Sequence, residues 1–498
     1  MIGRTPLVVV TLPSRSVESA RRDAATAAEA GADGAEIRLD RLPSGELARL
    51  SELFPPPLPL LATLRSRIEG GDGPDDAAAR ARILAAAAVL PFRWIDLEYD
   101  RDLELLGQLP PAVGAVLSTH LPAGAGPAEL ERRLRQGPPA GALRKIVLPA
   151  SVGTLIGRVL PAVPPPGEIP LLIATTGPSG PLLRAWSKRL GMPLVYASLP
   201  QGPPGRRGPL PVEPGQIPVD RLRWFFDNEG EAPIFGIAGH PVAHSASPFL
   251  HSGWLRHEGR RGLYVPLDFA SDEEFVEALP ILAAHGFKGL NVTHPFKETA
   301  FAAASRVARG AEACGVANCL TFRGDEVEAE NTDLAAILRR LEELRTAGTW
   351  NGRTVTVLGA GGAARATLAA ARELGASRHL VARRPESTRT LAETFGAGIG
   401  SPDKISAGDL VVHATDVGRA GAEELQFPLA SLVDASTHVV DWVYRPDDPV
   451  IRTTVESVGA TYEDGWRLLV YQAAESFAVW WDDPPAEDEV TAAIEVGR

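Results

Sequence analysis

An α/β fold class, with a (β/α)8 barrel in residues 1–226 and a doubly wound parallel sheet further on, follows from three observations. Eight short apolar runs alternate with Ala-rich stretches of helical composition between residues 7 and 199, which is the strand count and spacing of such a barrel. FFDNEGEAP at 225–233 is acidic and aperiodic, and residues 227–232 read as a linker. VTVLGAGGAARA at 355–366 places strand, glycine-rich turn and helix in the order of a dinucleotide-binding βαβ unit. Length agrees, since 498 residues exceed the roughly 250–300 at which a single core stops growing.

In order, the predicted strands are 7–12, 34–40, 58–65, 93–99, 113–120, 143–149, 170–176 and 193–199. Helical stretches fit between them: SVESARRDAATAAEAG ends in a glycine cap, and PDDAAARARILAAAAVL opens with Pro and acids. Past the linker, a second α/β pattern occupies 233–334, a nucleotide-binding domain 335–459, and the last segment, 460–498, returns to the former. The only visible connection between the halves is the polar linker, so each half is expected to fold and act alone. The formal charge of −12 comes without a basic patch, which excludes nucleic acid and anionic membrane as partners and favours small molecules. Cys314 and Cys319 are the only cysteines, so a disulfide scaffold and a four-thiolate metal site are excluded and a reducing cytoplasm fits. Leu7 to Val10 is too short an apolar run for a signal peptide or membrane span.

Side chains alternate along a strand, so one parity points into the barrel. Lys145 shares its parity with Val147, and on the other strands Glu36, Arg38 and Asp40, Thr63 and Arg65, Asp96 and Glu98, and Ser118 and His120 fall in step toward the strands' C-terminal ends. A lysine walled by apolar side chains and other cations loses its charge more readily and attacks ketones. His120 on the neighbouring strand is the candidate base, Glu69 its orienting group, and Arg38, Arg65 and Arg184 are candidates to bind an anionic substrate. The chemistry is that of a Schiff-base lyase or aldolase.

Over its whole length this half resembles type I 3-dehydroquinate dehydratase: EIRLD, LRSRIEGG, DLE, STH, RKIV and the EPGQ loop match that family's motifs. The resemblance implies that Lys145 forms an iminium with the C3 ketone, that His120 removes a C2 proton and helps expel the C1 hydroxyl, and that Arg184 grips the carboxylate. Glu36, Arg38, Arg65 and Gln216 complete the implied substrate contacts. Thr176, Leu183 and Val212 stand where the family usually has Met, Ser and Ser.

In the second half, Gly359, Gly361 and Ala364 form a turn that lets backbone approach a pyrophosphate at a helix N-terminus. HLVARRP ends in Arg383 and Arg384 instead of an acid, which suits the 2′-phosphate of NADP. Lys297 sits in the first turn of a helix opening at Pro295, where a cation is disfavoured and a lower pKa is expected. Thr332 and Asp333 lie at another helix start, where capping is the plain explanation.

Residues 233–498 resemble the shikimate dehydrogenase family through HSASP, NVTHPFK, ANCL, NTD, DWVYRP and DGWRLLVYQAAESF. The resemblance makes Lys297 and Asp333 the catalytic pair and assigns Ser245, Ser247, Thr293, Asn318, Tyr444 and Gln472 to substrate. It assigns Gly359, Ala360, Gly361, Gly362, Ala363, Arg383, Arg384 and Gly465 to NADP on a Rossmann domain. HATDVG replaces the family's usual Asn-Ala-Thr, and Cys319 a threonine. Together the halves imply consecutive steps: 3-dehydroquinate to 3-dehydroshikimate, then NADPH-dependent reduction to shikimate. A regulatory protein that kept only the folds would tolerate loss of Lys145, His120, Lys297 or Asp333, and all four are present.

Overall fold

A computed structural model describes residues 5–122, 124–201, 213–227, 231–383, 385–400, 409–418, 429–444 and 449–496. Arg384, Val212 and linker residues 228–230 lie outside the described residues. Cα proximity divides the chain into two compact units: Met1–Gly236 with Pro241–Gly286, and Ile237–His240 with Phe287–Arg498.

In the first unit, parallel strands β1 (Leu7–Thr11), β2 (Gly34–Arg38), β3 (Leu60–Thr63), β4 (Trp94–Glu98), β5 (Gly114–His120), β6 (Ala142–Pro149), β7 (Leu171–Thr176) and β8 (Leu194–Ser198) curl into the barrel. A ninth, two-residue strand absent from the sequence expectation, β9 (Ile217–Pro218), pairs with the end of β8. The ladder order is β7-β6-β5-β4-β3-β2-β1-β8-β9, so among the described residues a seam without ladder bonds lies between β7 and β8. Strands β2, β3 and β8 are buried along their whole length because helices cover one side and packed side chains fill the other.

Local chemistry sets the helices. Ser16 and Ser19 form a reciprocal cap at the start of Val17–Glu29, and Asp76 caps Ala77–Ala88. After β2 and β4 the expected full helices are replaced by Ser44–Leu47 and the 3-10 turn Leu103–Gln108. Pro55–Pro57 and Pro110–Pro111 follow closely and cannot continue a helix.

The first unit also contains helices Ser247–His257 and Asp272–Ala284 and strand β11 (Leu263–Asp268); β10 (Ile234–Gly239) crosses the division. These pieces touch the barrel directly: Trp224 Nε1 donates to Arg260 O at 2.9 Å, and the Arg261 guanidinium lies 3.8 Å over the Trp224 ring. The polar linker is therefore not the only connection, contrary to the sequence expectation. A tryptophan at the end of a barrel helix reads as ordinary core until its partner is seen.

In the second unit, β12 (Phe287–Val292), β14 (Cys319–Arg323) and β15 (Glu326–Glu330) pair antiparallel, and β13 (Arg306–Val307) adds parallel to β15. The other sheet is parallel, in the order β18 (Gly398–Ile399), β17 (Ser377–Val381), β16 (Thr354–Leu358), β19 (Leu410–His413), β20 (His438–Asp441), β21 (Thr461–Glu463). Strand alternation divides its core. Val355, Val357, Val412 and Val440 pack with helix Gly362–Glu373 on one face, while Val411 and Val439 pack with Ile451 and Val455 on the other. Helix Trp466–Trp481 packs on Thr332–Thr346, and Trp480 Nε1 donates to Leu320 O at 3.1 Å.

Candidate active sites

The barrel cluster is built by strand parity. Lys145 pairs across the ladder with Ser118, and His120 with Val147, so Lys145 and His120 face the interior two positions apart. Lys145 Nζ donates to Asp96 Oδ2 and to Tyr196 Oη, each at 3.0 Å, and lies 3.8 Å from Glu36. The expected wall of apolar groups and cations is thus corrected: two carboxylates and a phenol surround the amine. Burial alone would raise the Asp96 carboxyl, but Lys145, Arg65 and the Ser118 hydroxyl outweigh it and hold it below the usual carboxylate range. Burial, with Glu36 and Asp96 nearby, pushes Tyr196 well above an ordinary phenol, which keeps it neutral.

His120 Nδ1 lies 2.7 Å from Glu69 Oε2. Burial, then Arg65 and Lys145, push the imidazole well below its ordinary 6.5, so it is neutral at neutral pH. A carboxylate on Nδ1 holds the proton there and leaves Nε2 a lone pair.

The three candidate anion-binding arginines differ. Arg65 is saturated by Glu69, Glu98, Asp96 and Ser118, and Arg38 by Asp40 and Glu213. Arg184 donates only to carbonyls, Tyr196 O at 2.9 Å and Gly180 O at 2.9 Å. No carboxylate pairs with it among the described residues, and burial pulls it down to about 10. A buried cation without a counter-ion is the natural receptor for an anion. Glu36 accepts from Thr11 and Thr63. Gln216 Nε2 donates to Thr11 Oγ1 at 3.0 Å, while its Oε1 is buried without a partner among the described residues. Tyr196 was not singled out from sequence, although the parity rule applied to LVYAS would have pointed to it.

In the second unit Lys297 opens helix Lys297–Ala303, and its Nζ lies 2.5 Å from Asp333 Oδ2. The capping explanation for Thr332 and Asp333 is corrected. Asn331 caps helix Thr332–Thr346 by accepting from Leu334 N, which leaves the Asp333 carboxylate for Lys297. Asn318 fixes the start of this helix: Oδ1 accepts from Thr332 N at 2.7 Å and Nδ2 donates to Thr332 Oγ1 at 3.0 Å. Ser476 and Asn291, which sequence reasoning missed, tie into the same network: Ser476 Oγ meets Thr332 Oγ1 at 2.9 Å, and Asn291 Nδ2 donates to Ser476 Oγ at 2.7 Å. Thr293 is half-buried with its N–H on Ala238 O, and Gln472 turns its amide onto Leu469 O.

The glycine turn fits a dinucleotide. Gly359 has φ +118°, and a Cβ there would sit 2.5 Å from Ala414 O. Gly361 begins helix Gly362–Glu373 without a side-chain cap, nothing lies within 4 Å of its missing Cβ, and the first N–H groups of a helix have no intrahelical partner. Ala360 and Ala363 pack on the core. A Cβ on Gly362 would meet Lys297 Cδ at 2.7 Å, so the lysine stem runs against this turn. Arg383 is exposed just past β17. Gly465 opens helix Trp466–Trp481 where a Cβ would lie 2.3 Å from Trp442 O, and Tyr444 meets Trp466 edge-on at 6.1 Å. Ser245 and Ser247 belong to the first unit, at the start of Ser247–His257, where Ser245 Oγ accepts from Ser247 N at 3.2 Å.

The pattern defining type I 3-dehydroquinase matches residues 8–232, and that of the shikimate dehydrogenase substrate binding domain matches residues 237–320. A shikimate dehydrogenase (NADP(+)) of Cereibacter sphaeroides is 36% identical over 271 residues, 52% of this chain and 96% of that protein. Its counterpart in Acidiphilium cryptum is 38% identical over 267 residues, 52% of this chain and 94% of that protein. Among solved structures, dehydroquinate dehydratase and shikimate dehydrogenase from S. pombe covers 99% of this chain and 98% of its own, at 20% identity and a TM-score of 0.43. With a lysine and its histidine inside the barrel and a lysine–aspartate pair against the glycine turn, the chain belongs to the type I 3-dehydroquinases in its first half and to the shikimate dehydrogenase family in its second.

Proposed function

We infer that this is a bifunctional enzyme of the shikimate pathway, a 3-dehydroquinate dehydratase joined to an NADP-dependent shikimate dehydrogenase. What carries the reading is the presence in one chain of two clusters, Lys145–His120–Glu69 and Lys297–Asp333, each in the half that matches its own family. The functional domains follow the sequence boundaries: 1–226 for dehydration, 233–334 with 460–498 for the second substrate, and 335–459 for the cofactor.

In the first reaction the Lys145 amine attacks the C3 ketone of 3-dehydroquinate and water leaves, giving an iminium. His120 Nε2 takes the acidified C2 proton and returns it to the departing C1 hydroxyl as water, and hydrolysis of the iminium frees 3-dehydroshikimate. Glu69 keeps His120 in the tautomer this needs, and Arg184 holds the substrate carboxylate. Glu36, Arg38, Arg65 and Gln216 order the remaining contacts.

In the second reaction NADPH, when bound, supplies the hydride to the ketone carbon of 3-dehydroshikimate. Lys297 gives a proton to the carbonyl oxygen, and Asp333 orients and recharges it. Gly359, Gly361 and the uncapped helix start would hold the pyrophosphate, with Arg383 and Arg384 on the 2′-phosphate. Ser245, Ser247, Thr293, Asn318, Tyr444 and Gln472 keep the substrate-binding roles implied by the family, and Ala360, Gly362, Ala363 and Gly465 theirs toward the cofactor. No helix among the described residues is long and apolar enough to cross a membrane. A cytoplasmic location is part of the reading.

Purified protein given 3-dehydroquinate and NADPH should consume both and form shikimate. Accumulated 3-dehydroshikimate without NADPH oxidation would refute the reductase, and untouched 3-dehydroquinate would refute the dehydratase. Borohydride added during turnover should fix substrate mass on Lys145.

A further inference from the structure

We propose that segment 241–286, which in sequence belongs to the reductase half, is a positioning element of the dehydratase site: it seats the Gly180–Trp186 helix and so holds Arg184 for the substrate carboxylate. The proposal rests on the role given above to Arg184.

The helix itself calls for a cover. A helix on the outside of a barrel ordinarily turns a polar face to water, but GPLLRAW has no charged side chain except Arg184, which points back to β8. All seven residues are buried, Leu182 and Trp186 at 0% exposure. The helix packs against β11, whose Leu263, Tyr264 and Val265 are themselves buried.

The contact is also directional. Trp186 Nε1 donates to the His285 carbonyl at 3.0 Å, and the two rings lie 5.1 Å apart. Two residues earlier on the same short helix, Arg184 reaches the other way, to Tyr196 O and Gly180 O. Ser187 Oγ closes the helix end by donating to Arg184 O at 2.8 Å. Rotation of this helix therefore sets both residues at once.

The neighbouring barrel elements are held by the same segment. Glu274 lies against Gly153, where a Cβ would be 2.4 Å from its Cδ, and Trp224 donates to Arg260 O. Asp220 pairs with Arg256. The chain that follows each of β6, β7 and β8 is thus braced by 241–286, and these strands carry or precede Lys145, Arg184 and Tyr196.

The test uses the intact chain. Trp186→Phe keeps a ring and removes the donor. It should raise the KM for 3-dehydroquinate about five-fold, as loss of one buried hydrogen bond would, with kcat within about two-fold and borohydride capture on Lys145 intact. His285→Ala, which removes the ring packed on Trp186, should act in the same direction, and neither change should alter the KM for 3-dehydroshikimate. Added to Arg184→Ala, Trp186→Phe should have no further effect on KM, because both act through one group. An unchanged KM in both variants while Arg184→Ala raises it, additive effects in the double variant, or a fall in kcat and folded fraction at constant KM would each overturn the proposal. Arg184→Ala with unchanged KM would instead refute the carboxylate role of Arg184 itself.

Discussion

His120 shows how single groups set the working range of an enzyme. Burial, Arg65 and Lys145 disfavour its cation, so its protonation midpoint lies well below 6.5. The proposed base is therefore unprotonated as pH falls through 6.5, and dehydratase kcat/KM should be flat from about pH 8 down to that point and decline only below it. A pH–rate profile with an acid limb centred near 6.5 would contradict this. His413 stands where the family usually has asparagine, and its ring bridges Asp441 at 2.7 Å and Thr415 at 2.6 Å, fully buried. An asparagine reaches only one of these partners, so His413→Asn should cost about 1–3 kcal/mol in denaturant unfolding. It should also raise the KM for NADPH, since Ala414 abuts Gly359. Lys145 and His120 were legible as single residues because alternation on adjacent strands puts like parity together, whereas Glu69 lies in the turn after β3 and was read from its carboxylate chemistry. The carboxylates around Lys145 were not read as its neighbours, because which inward groups touch depends on barrel stagger, a long-range property.

Elements obeyed local chemistry where it was strong. All eight barrel strands lie within two residues of the apolar runs that predicted them. The missing helices after β2 and β4 trace to prolines visible in the sequence, and Asn331 takes the cap because its side chain, one position before Thr332, reaches Leu334 N. The turn after β16 is the sharpest case. Gly359→Ala would place a methyl in a left-handed backbone and 2.5 Å from Ala414 O. The variant should lose NADPH reduction by about a hundred-fold or more while dehydration in the same chain continues. Equal loss of both activities would mean that the turn matters to the fold and not to the cofactor.

At the scale of the molecule, the polar linker was legible and the contacts that bypass it were not. Trp186 and Trp224 have the same sequence signature whether they pack inside a barrel or against β11 and Arg261. Residues 1–227 expressed alone should therefore unfold several degrees below the dehydratase transition of the intact chain, a shift that about 1–2 kcal/mol produces in a domain of this size. Calorimetry of the two proteins gives the comparison, and identical midpoints would show that the bypassing contacts contribute nothing to the barrel.

The seam between β7 and β8 has a consequence in time. Where a ladder would pair amides, the Tyr196 carbonyl takes the Arg184 guanidinium, so a side chain does the work of backbone. Amide protons along β7 and β8 should exchange with deuterium faster than those of β5 and β6, which are laddered on both edges. An anion bound to Arg184 steadies that same guanidinium, and it should slow exchange along β7 and β8 while leaving β5 and β6 as they were.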